Sequence, residues 1–531
     1  MPVQLPPDVT QSQFDAAIKA MRKVVGAEWV FTSDEDIHLY RDAYSPLQGE
    51  EEEYLPSGAV APDSVEQVQE IVRIANTYKL PLWPVSTGKN LGYGGSAPRL
   101  SGTVVLDLKR MNRVIEVNED LAYALVEPGV SYFDLYRHLQ EHKLKLWVDS
   151  ADPGWGSVIG NALDHGCGHM QYRDHFDSHC GMEVVLASGE IMRTGMGALP
   201  DSPSWSTFKY GFGPHISTIF GQSNFGIVTK MGIWLMPEPQ AARNYLVAVP
   251  KERDVVPLLR HLSRFVATGI IDSMWIIDSP LKSSTDPQVR ELIARDAPAE
   301  QLEQIGLAKG LGFWGTRLRF YGPTEIVDAH WQHVRERLAE IPGATFKDGA
   351  AYLSPIKPES AYEAADDRFG HAAVGIPSLG IFTPGAAARS QGHIFFSPVI
   401  PMTGEQFLKA QNVFRQTFKE MGRPLPPIVT AGAWYKRNLI LLFGIPITHD
   451  VAANKKVRAD VKHLVQVAAA NGWGEYRTPT VFMDDVMDVF SFNDHALLRF
   501  HQSIKDAVDP NGILAPGKSG IWPQRFRRAR S

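Results

Sequence analysis

Residues 84–95 read Pro84-Val85-Ser86-Thr87-Gly88-Lys89-Asn90-Leu91-Gly92-Tyr93-Gly94-Gly95, four glycines among small polar side chains, directly after the apolar Leu80-Pro81-Leu82-Trp83. Such a stretch exposes consecutive backbone amides, and a concave row of N–H groups is a site for a diphosphate. Two common nucleotide loops do not fit. Gly92-x-Gly94-x-x-Ala97 has Rossmann spacing, but that motif opens a helix, and Pro98-Arg99-Leu100-Ser101-Gly102 is a poor helix sequence. Thr87-Gly88-Lys89 looks like the end of a Walker loop, yet Trp83 stands where its first glycine belongs and Asn90 where Ser or Thr would meet magnesium. The stretch therefore reads as a dinucleotide loop of a third kind, against the plainer alternative of a surface loop of turn formers.

Other positions could carry chemistry, each with a structural alternative. His393 opens the apolar run Ile394-Phe395-Phe396, where a half-buried structural histidine is also common. Tyr476-Arg477 sets a phenol donor beside an obligate cation, a pair suited to an anionic oxygen. Asp152, in Asp152-Pro153-Gly154-Trp155-Gly156, has the ordinary explanation of a turn aspartate. His165-x-x-x-His169 and His175-x-x-x-His179, with Cys167 and Cys180 nearby, could be assembled into a zinc site. Gly166-Cys167-Gly168 disfavours the helix needed to align the first pair, and His-Glu-x-x-His is absent, so no metal is expected. A serine hydrolase would want Gly-x-Ser-x-Gly, which Gly154-x-Gly156-Ser157 does not supply.

The elements that must position these groups alternate along the first half. Ser64 and Gln67 form a capping box, followed by Val65, Val68, Ile71, Val72 and Ala75 at helical spacing. Thr103–Leu108 and Ala122–Val126 are strand-like, and Ser131 caps a helix through Leu135 and Leu139. Glu183–Glu190 reads as strand and turn, and Asn224–Thr229 as another strand. Residues 1–242 are expected to form an α+β cofactor domain. After Pro237-Glu238-Pro239 the texture shifts to longer helices, and 243–473 reads as a second domain. Residues 474–531 regain the first texture and are expected to pack back on it.

At 531 residues the chain is long enough for two to four compact units. Apolar content of 44% and charged content of 21% are ordinary for a folded globular protein, and a net charge of −6 gives no field favouring nucleic acid or an anionic membrane. The basic tail Arg525–Arg530 reads as a solvated terminus. Two cysteines fit a reducing compartment, the first residues lack the pattern of a signal peptide, and no apolar run is long enough to span a bilayer; a cytoplasmic location is expected.

Taken together, these motifs resemble the vanillyl alcohol oxidase and p-cresol methylhydroxylase flavoprotein family over nearly the whole chain. The resemblance rests on Val85–Gly95, Gly156-Ser157-Val158-Ile159-Gly160-Asn161, Gly181–Leu186, Met192–Pro200, Gly392-His393-Ile394, Phe396-Ser397-Pro398, Gly474–Thr478 and Ala515–Trp522. It implies an α+β architecture: an FAD-binding domain of the p-cresol methylhydroxylase (PCMH) type made from both chain ends, with an α+β cap domain between them. Ser86, Thr87, Gly88, Lys89, Asn90, Gly92 and Gly94 would hold the FAD diphosphate. Gly156, Ser157, Gly160, Asn161, Glu183, Ile227, Val228 and Lys518 would lie along the cofactor, and His393 would carry a covalent bond to the flavin 8α-methyl carbon.

The same resemblance places Tyr93, Tyr476 and Arg477 around a substrate phenol oxygen, with Asp152 near the benzylic carbon as base toward water. The implied activity is oxidation of 4-alkylphenols such as alkylguaiacols or hydroxybenzyl alcohols through a quinone methide, with oxygen as acceptor. A dehydrogenase passing electrons to a cytochrome or another acceptor is the alternative. A homodimer is expected from the family's habit. Sugar or hydroxy-acid oxidation is disfavoured by the Tyr93, Tyr476 and Arg477 trio, and a zinc enzyme or a non-catalytic interaction protein is the reading outside flavoenzymes.

The chain also departs from the family. Gly166-Cys167-Gly168-His169-Met170-Gln171-Tyr172 stands where relatives carry Gly-Val-Gly-Tyr-Thr-Pro-Tyr, so His169 is expected to replace an aromatic donor and tune Asp152. Pro479 replaces a histidine of one family member, and Ala431–Arg437 lacks the family's histidine.

Overall fold

The computed structural model describes residues 4–90, 92–151, 153–355, 370–380, 392–423 and 430–527. Near the start, helix α1 (Gln11–Val25) packs on α2 (Val65–Tyr78) over strands β1 (Val30–Phe31), β2 (Gly58–Val60), β3 (Leu82–Val85) and β4 (Val104–Asp107). The strands lie in the order β1-β2-β4-β3, and β2, β4 and β3 run parallel. Ile71, Val72 and Ala75 of α2 are fully buried against this sheet, as their spacing predicts. The cap of α2 differs in detail. Ser64 accepts from the Gln67 amide, but the Gln67 side chain takes the amide of Asp63 rather than that of Ser64, so the box is open on one side.

A second sheet is antiparallel, in the order β5 (Val114–Asn118), β6 (Tyr123–Val126), β9 (Ile227–Trp234), β7 (His179–Val185), β8 (Ile191–Arg193). Helices α3 (Tyr132–Glu141) and α4 (Val158–Leu163) bury Leu135, Leu139, Val158 and Ile159 in the core it forms. Ser131 caps α3 in a full box with Asp134.

The third and largest sheet begins just past Pro237-Glu238-Pro239. Its order is β13 (Thr345–Leu353), β10 (Ala241–Val249), β12 (Trp314–Gly322), β11 (Ile276–Asp278), β16 (Thr430–Gly432), β17 (Asn438–Ile447), β14 (Gly392–Phe396), and β15 (Val399–Pro401) also pairs with β17. Helices α5 (Val255–Ala267), α6 (Thr324–Leu338), α7 (Gly404–Glu420) and α8 (Val451–Ala470) share with it one core built around Trp275, Trp314, Phe396 and Phe414.

The last segment returns to the first sheet. The Leu82 amide donates to Ile513 O at 2.7 Å and the Ala515 amide to Leu82 O at 2.8 Å, so residues 513–515 extend the sheet beside β3. The return is locked by Lys505, which has no exposed side-chain surface and donates to Asn224 O, Leu514 O and the Asp509 carboxylate, each at 2.7 Å. Asp509 in turn accepts the amides of Ile513 and Leu514. A buried charge keeps its place only when it is paired and fully hydrogen-bonded. Replacing Lys505 by Met strands the Asp509 carboxylate and the two carbonyls; the expected loss is about 3–5 kcal/mol, read as an earlier urea transition of the C-terminal return.

Candidate active site

The amide loop begins where β3 ends, at Val85. Its turns need glycine: Gly92 has φ +82°, in the left-handed region, and a β-carbon there would stand 2.7 Å from a Phe395 ring carbon and 3.3 Å from the His393 ring. The Phe395 amide donates to Gly92 O at 3.0 Å, so strand β14 is stitched to the loop. On the opposite wall, a β-carbon on Gly160 would meet Ser86 Oγ at 2.3 Å, which is why α4 can lie against the loop.

Between these walls lies an open cleft. Ser86, Thr87, Gly88, Lys89, Asn90 and Gly94 line one side, and Gly156, Ser157, Gly160 and Asn161 another. Ile227 and Val228 on β9, with Phe220 and Ile159, supply apolar surface; Leu514, Ala515 and Lys518 close the end. A second cavity shares Asn90, Tyr93, Asp164, Gln222, Met483 and Lys518 with the first and adds Glu475, Tyr476 and Arg477. An amide-rich loop, an extended cleft and an adjoining chamber fit a dinucleotide with a flat ring at one end.

His393 bears on the same fit. It is 6% exposed, and among the described residues neither ring nitrogen has a hydrogen-bond partner. Burial lowers its pKa, so the imidazole is held neutral with a free lone pair. Its ring lies behind Gly92, between Tyr44 and Phe395, and it does not line either cavity.

The second cavity brings together residues far apart in sequence. Tyr93 (5% exposed) has its hydroxyl 2.7 Å from Ser397 Oγ and 3.5 Å from the Tyr476 hydroxyl. The Arg477 guanidinium carbon lies 3.9 Å from the centre of the Tyr93 ring. Burial raises the pKa of both tyrosines above the ordinary phenol value, with Arg477 pulling the other way. Both therefore remain O–H donors, beside a cation that does not titrate. Tyr435 packs behind this group without lining either cavity, its ring 6.2 Å from that of Tyr476 and its hydroxyl donating to His165 O.

Glu475 and Asp164 also belong to this wall. Glu475 (8% exposed) accepts the Ser397 amide at 2.9 Å, and burial pushes its carboxyl up to about 7. Asp164 takes Lys518 Nζ at 2.9 Å on one oxygen and Asn90 Nδ2 at 2.7 Å on the other. Burial alone would raise its pKa; Lys518 and then Arg477 outweigh that and hold it below the usual carboxylate range. Arg477 Nη1 donates to Asp164 O at 3.4 Å, and Gln222 Nε2 to Tyr476 O at 2.8 Å.

Other expected site residues sit elsewhere. Glu183 spends its carboxylate on Arg193, Lys230 and Thr229, and it lines neither cavity. His169 is buried, and its amide, with that of Met170, holds the Asp149 carboxylate; Asp152, its expected partner, lies outside the described residues. Asp149, Asp164, Gln222, Ser397 and Glu475 were not singled out from the sequence. Ser397 and Glu475 stand inside quoted motifs, whereas Asp164 and Gln222 carry no local signal.

The sequence pattern of the FAD binding domain family matches residues 56–195, and that of the C-terminal domain of FAD linked oxidases matches 361–519. The chain is 32% identical over 525 residues, 97% of each protein, to the 4-cresol dehydrogenase [hydroxylating] flavoprotein subunit of Pseudomonas putida. Among solved structures, 4-ethylphenol oxidase from Gulosibacter chungangensis in its isoeugenol complex superposes with a TM-score of 0.85 at 36% identity, covering 99% of this chain and 100% of that one. Substrate-bound p-cresol methylhydroxylase gives 0.86 at 31%, covering 98% and 99%. With the cleft, the amide loop and this likeness over the full length, the chain belongs to the vanillyl alcohol oxidase and p-cresol methylhydroxylase family of FAD-linked oxidoreductases.

Proposed function

We propose that this enzyme oxidises 4-alkylphenols at the benzylic carbon, with FAD tethered through His393 and oxygen as the electron acceptor. The observation that carries the reading is the convergence of the Tyr93 and Tyr476 hydroxyls beside the Arg477 guanidinium in a chamber adjoining the cofactor cleft. The names of three relatives matched over nearly their whole length, two of them acting on p-cresol (4-cresol) and one on 4-ethylphenol, support it.

Bound FAD supplies the two-electron acceptor for the benzylic hydride. The chain supplies the rest. Two phenolic O–H donors and a fixed cation stabilise a phenolate, as an oxyanion hole stabilises developing charge. Electron release from that oxygen into the ring weakens the benzylic C–H bond, because loss of hydride from the anion leaves a neutral quinone methide. Asp152 is assigned the role of base toward the water that adds to this product; proton loss instead gives an alkene. Ser86 to Asn90, Gly92 and Gly94 hold the diphosphate by backbone amides, with Gly156, Ser157, Gly160, Asn161, Ile227, Val228 and Lys518 along the cofactor. Tyr435 and the cap residues beside it shape the side facing the para substituent. His169, whose amide holds the Asp149 carboxylate, is assigned the tuning of Asp152 by pairing with its carboxylate.

Two outcomes are expected. After acid precipitation the yellow chromophore stays with the redissolved protein, and His393→Ala releases it to the supernatant; flavin freed from the unmutated protein removes the tether. Arg477→Met lowers the rate of anaerobic flavin reduction by 4-ethylphenol about a hundredfold to a thousandfold, the usual cost of one oxyanion donor, and an unchanged rate removes the phenolate site. Admitting oxygen to the reduced enzyme separates the oxidase, which reoxidises at once, from a dehydrogenase, which waits for another acceptor.

A further inference from the structure

The hairpin that carries the chain's departure from the family folds onto the back of the cofactor cleft. The Gly168 amide donates to Arg173 O at 2.9 Å and Cys167 pairs with Asp174, so residues 166–175 close on themselves. Two glycines let the hairpin come close to its neighbours. A β-carbon on Gly166 would stand 2.1 Å from Asn161 Oδ1, and one on Gly168 would stand 2.0 Å from Asp149 Oδ1 and 2.6 Å from His175 Nε2. The Gly166 amide also donates to Asn161 O at 2.7 Å. His175, buried by this packing, has Nδ1 2.6 Å from Asn161 Oδ1. Its Nε2 lies 4.0 Å from Asp149 Oδ1, and that carboxylate is taken by the amides of His169 and Met170. Tyr132, at the start of α3, completes a triangle: its hydroxyl is 3.2 Å from Asn161 Oδ1 and 2.9 Å from His175 Nδ1. Three polar atoms this close need one that accepts twice. A carbonyl oxygen has two lone pairs and an imidazole nitrogen has one, so Oδ1 is the common acceptor and Nδ1–H and the tyrosine O–H are the donors. Both side-chain hydrogen bonds of Asn161 therefore use its oxygen. Asn161 lines the cleft, so its nitrogen Nδ2 is the atom left for a ligand there.

We infer that Tyr132 and His175 are positioning residues, which fix the Asn161 carboxamide so that its N–H group donates to the flavin ring. This inference rests on the reading of the cleft as an FAD site whose ring lies beside the phenolate chamber. Asp164, three residues after Asn161, lines both the cleft and the chamber, so Asn161 stands toward the end where a ring must lie to take hydride from a substrate in the chamber. Reduction adds an electron pair to the ring and raises the charge on its nitrogen and carbonyl acceptor atoms. A fixed N–H donor at such an atom favours the reduced ring over the oxidised one, and it needs no reorganisation when the charge arrives. A carboxamide turned over would present its oxygen and favour the oxidised ring. The hairpin thus sets the sign of what Asn161 does to the flavin, without touching the flavin itself.

The test is the midpoint potential of the flavin in the holoenzyme, measured anaerobically against reference dyes. Asn161→Leu removes the donor. It is expected to lower the ratio of reduced to oxidised flavin at a given applied potential about tenfold, the worth of one hydrogen bond, which is about 30 mV for a two-electron couple. Tyr132→Phe and His175→Leu release the carboxamide and lower the ratio in the same direction, by about threefold to tenfold. Combined with Asn161→Leu, neither moves it further, because both act through the one carboxamide. Tyr132→Phe removes a single oxygen, so it carries the test where His175→Leu does not fold. A ratio that stays the same or rises in Asn161→Leu overturns the donor. A fall in Asn161→Leu alone, or losses that add in the double variants as a purely structural role would give, overturns the positioning by Tyr132 and His175. Each of these results leaves the FAD site and the phenolate reading standing. Unmutated protein that takes up no FAD overturns the cleft reading and this inference with it.

Discussion

Asp164 is the joint on which the site depends. Its carboxylate is gripped by Asn90 from the amide loop and by Lys518 from the C-terminal return, and its carbonyl takes Arg477 from the segment leaving the cap. Gln222 adds a further tie, from its own amide to the Tyr476 carbonyl. The amide loop and the C-terminal return thereby meet at one ionised carboxylate, and the segment leaving the cap is tied to the same residue's carbonyl. Asp164 and Lys518 are only partly exposed, so losing one of the pair leaves the other charge poorly compensated.

That joint sets the electrostatics of the two adjoining cavities. Lys518 and Arg477 offset Asp164, and the remaining field of Arg477 falls on the Tyr93 ring at 3.9 Å and on the hydroxyl pair beside it. The chamber therefore offers two O–H donors beside a fixed cation, whereas the neighbouring cleft offers backbone amides along one wall and apolar side chains along another. A cation held by the fold costs no reorganisation when charge develops on the ligand, which is the usual source of large electrostatic contributions to rate.

The parts legible in the sequence are those fixed by local physics. The loop from Ser86 to Gly95 shows itself because left-handed turns at Gly88, Gly92 and Gly94 need glycine. The helices starting after Ser64 and Ser131 announce their caps, although Gln67 turned to Asp63 because that amide lay within its reach. What a single sequence does not carry is proximity. Tyr93 and Tyr476 meet across 383 positions, and Asp164 meets Lys518 across 354, through tertiary packing that leaves no spacing to read. The family resemblance bridged the first of these gaps and not the second. It also pointed to Glu183 along the cofactor, where the fold gives that carboxylate to Arg193 and Lys230. Glu475 stood in plain view beside Tyr476; only its burial and its link to Ser397 single it out.

The central claim is that the chamber acts on an ionised phenol oxygen. Anaerobic flavin reduction by 4-ethylphenol, compared with reduction by its methyl ether 4-ethylanisole, tests it most directly, because the two share the benzylic carbon and differ in whether the oxygen can ionise. The account predicts rapid reduction by the phenol and none by the ether. Comparable rates with both would show that hydride leaves without the phenolate, and would contradict it.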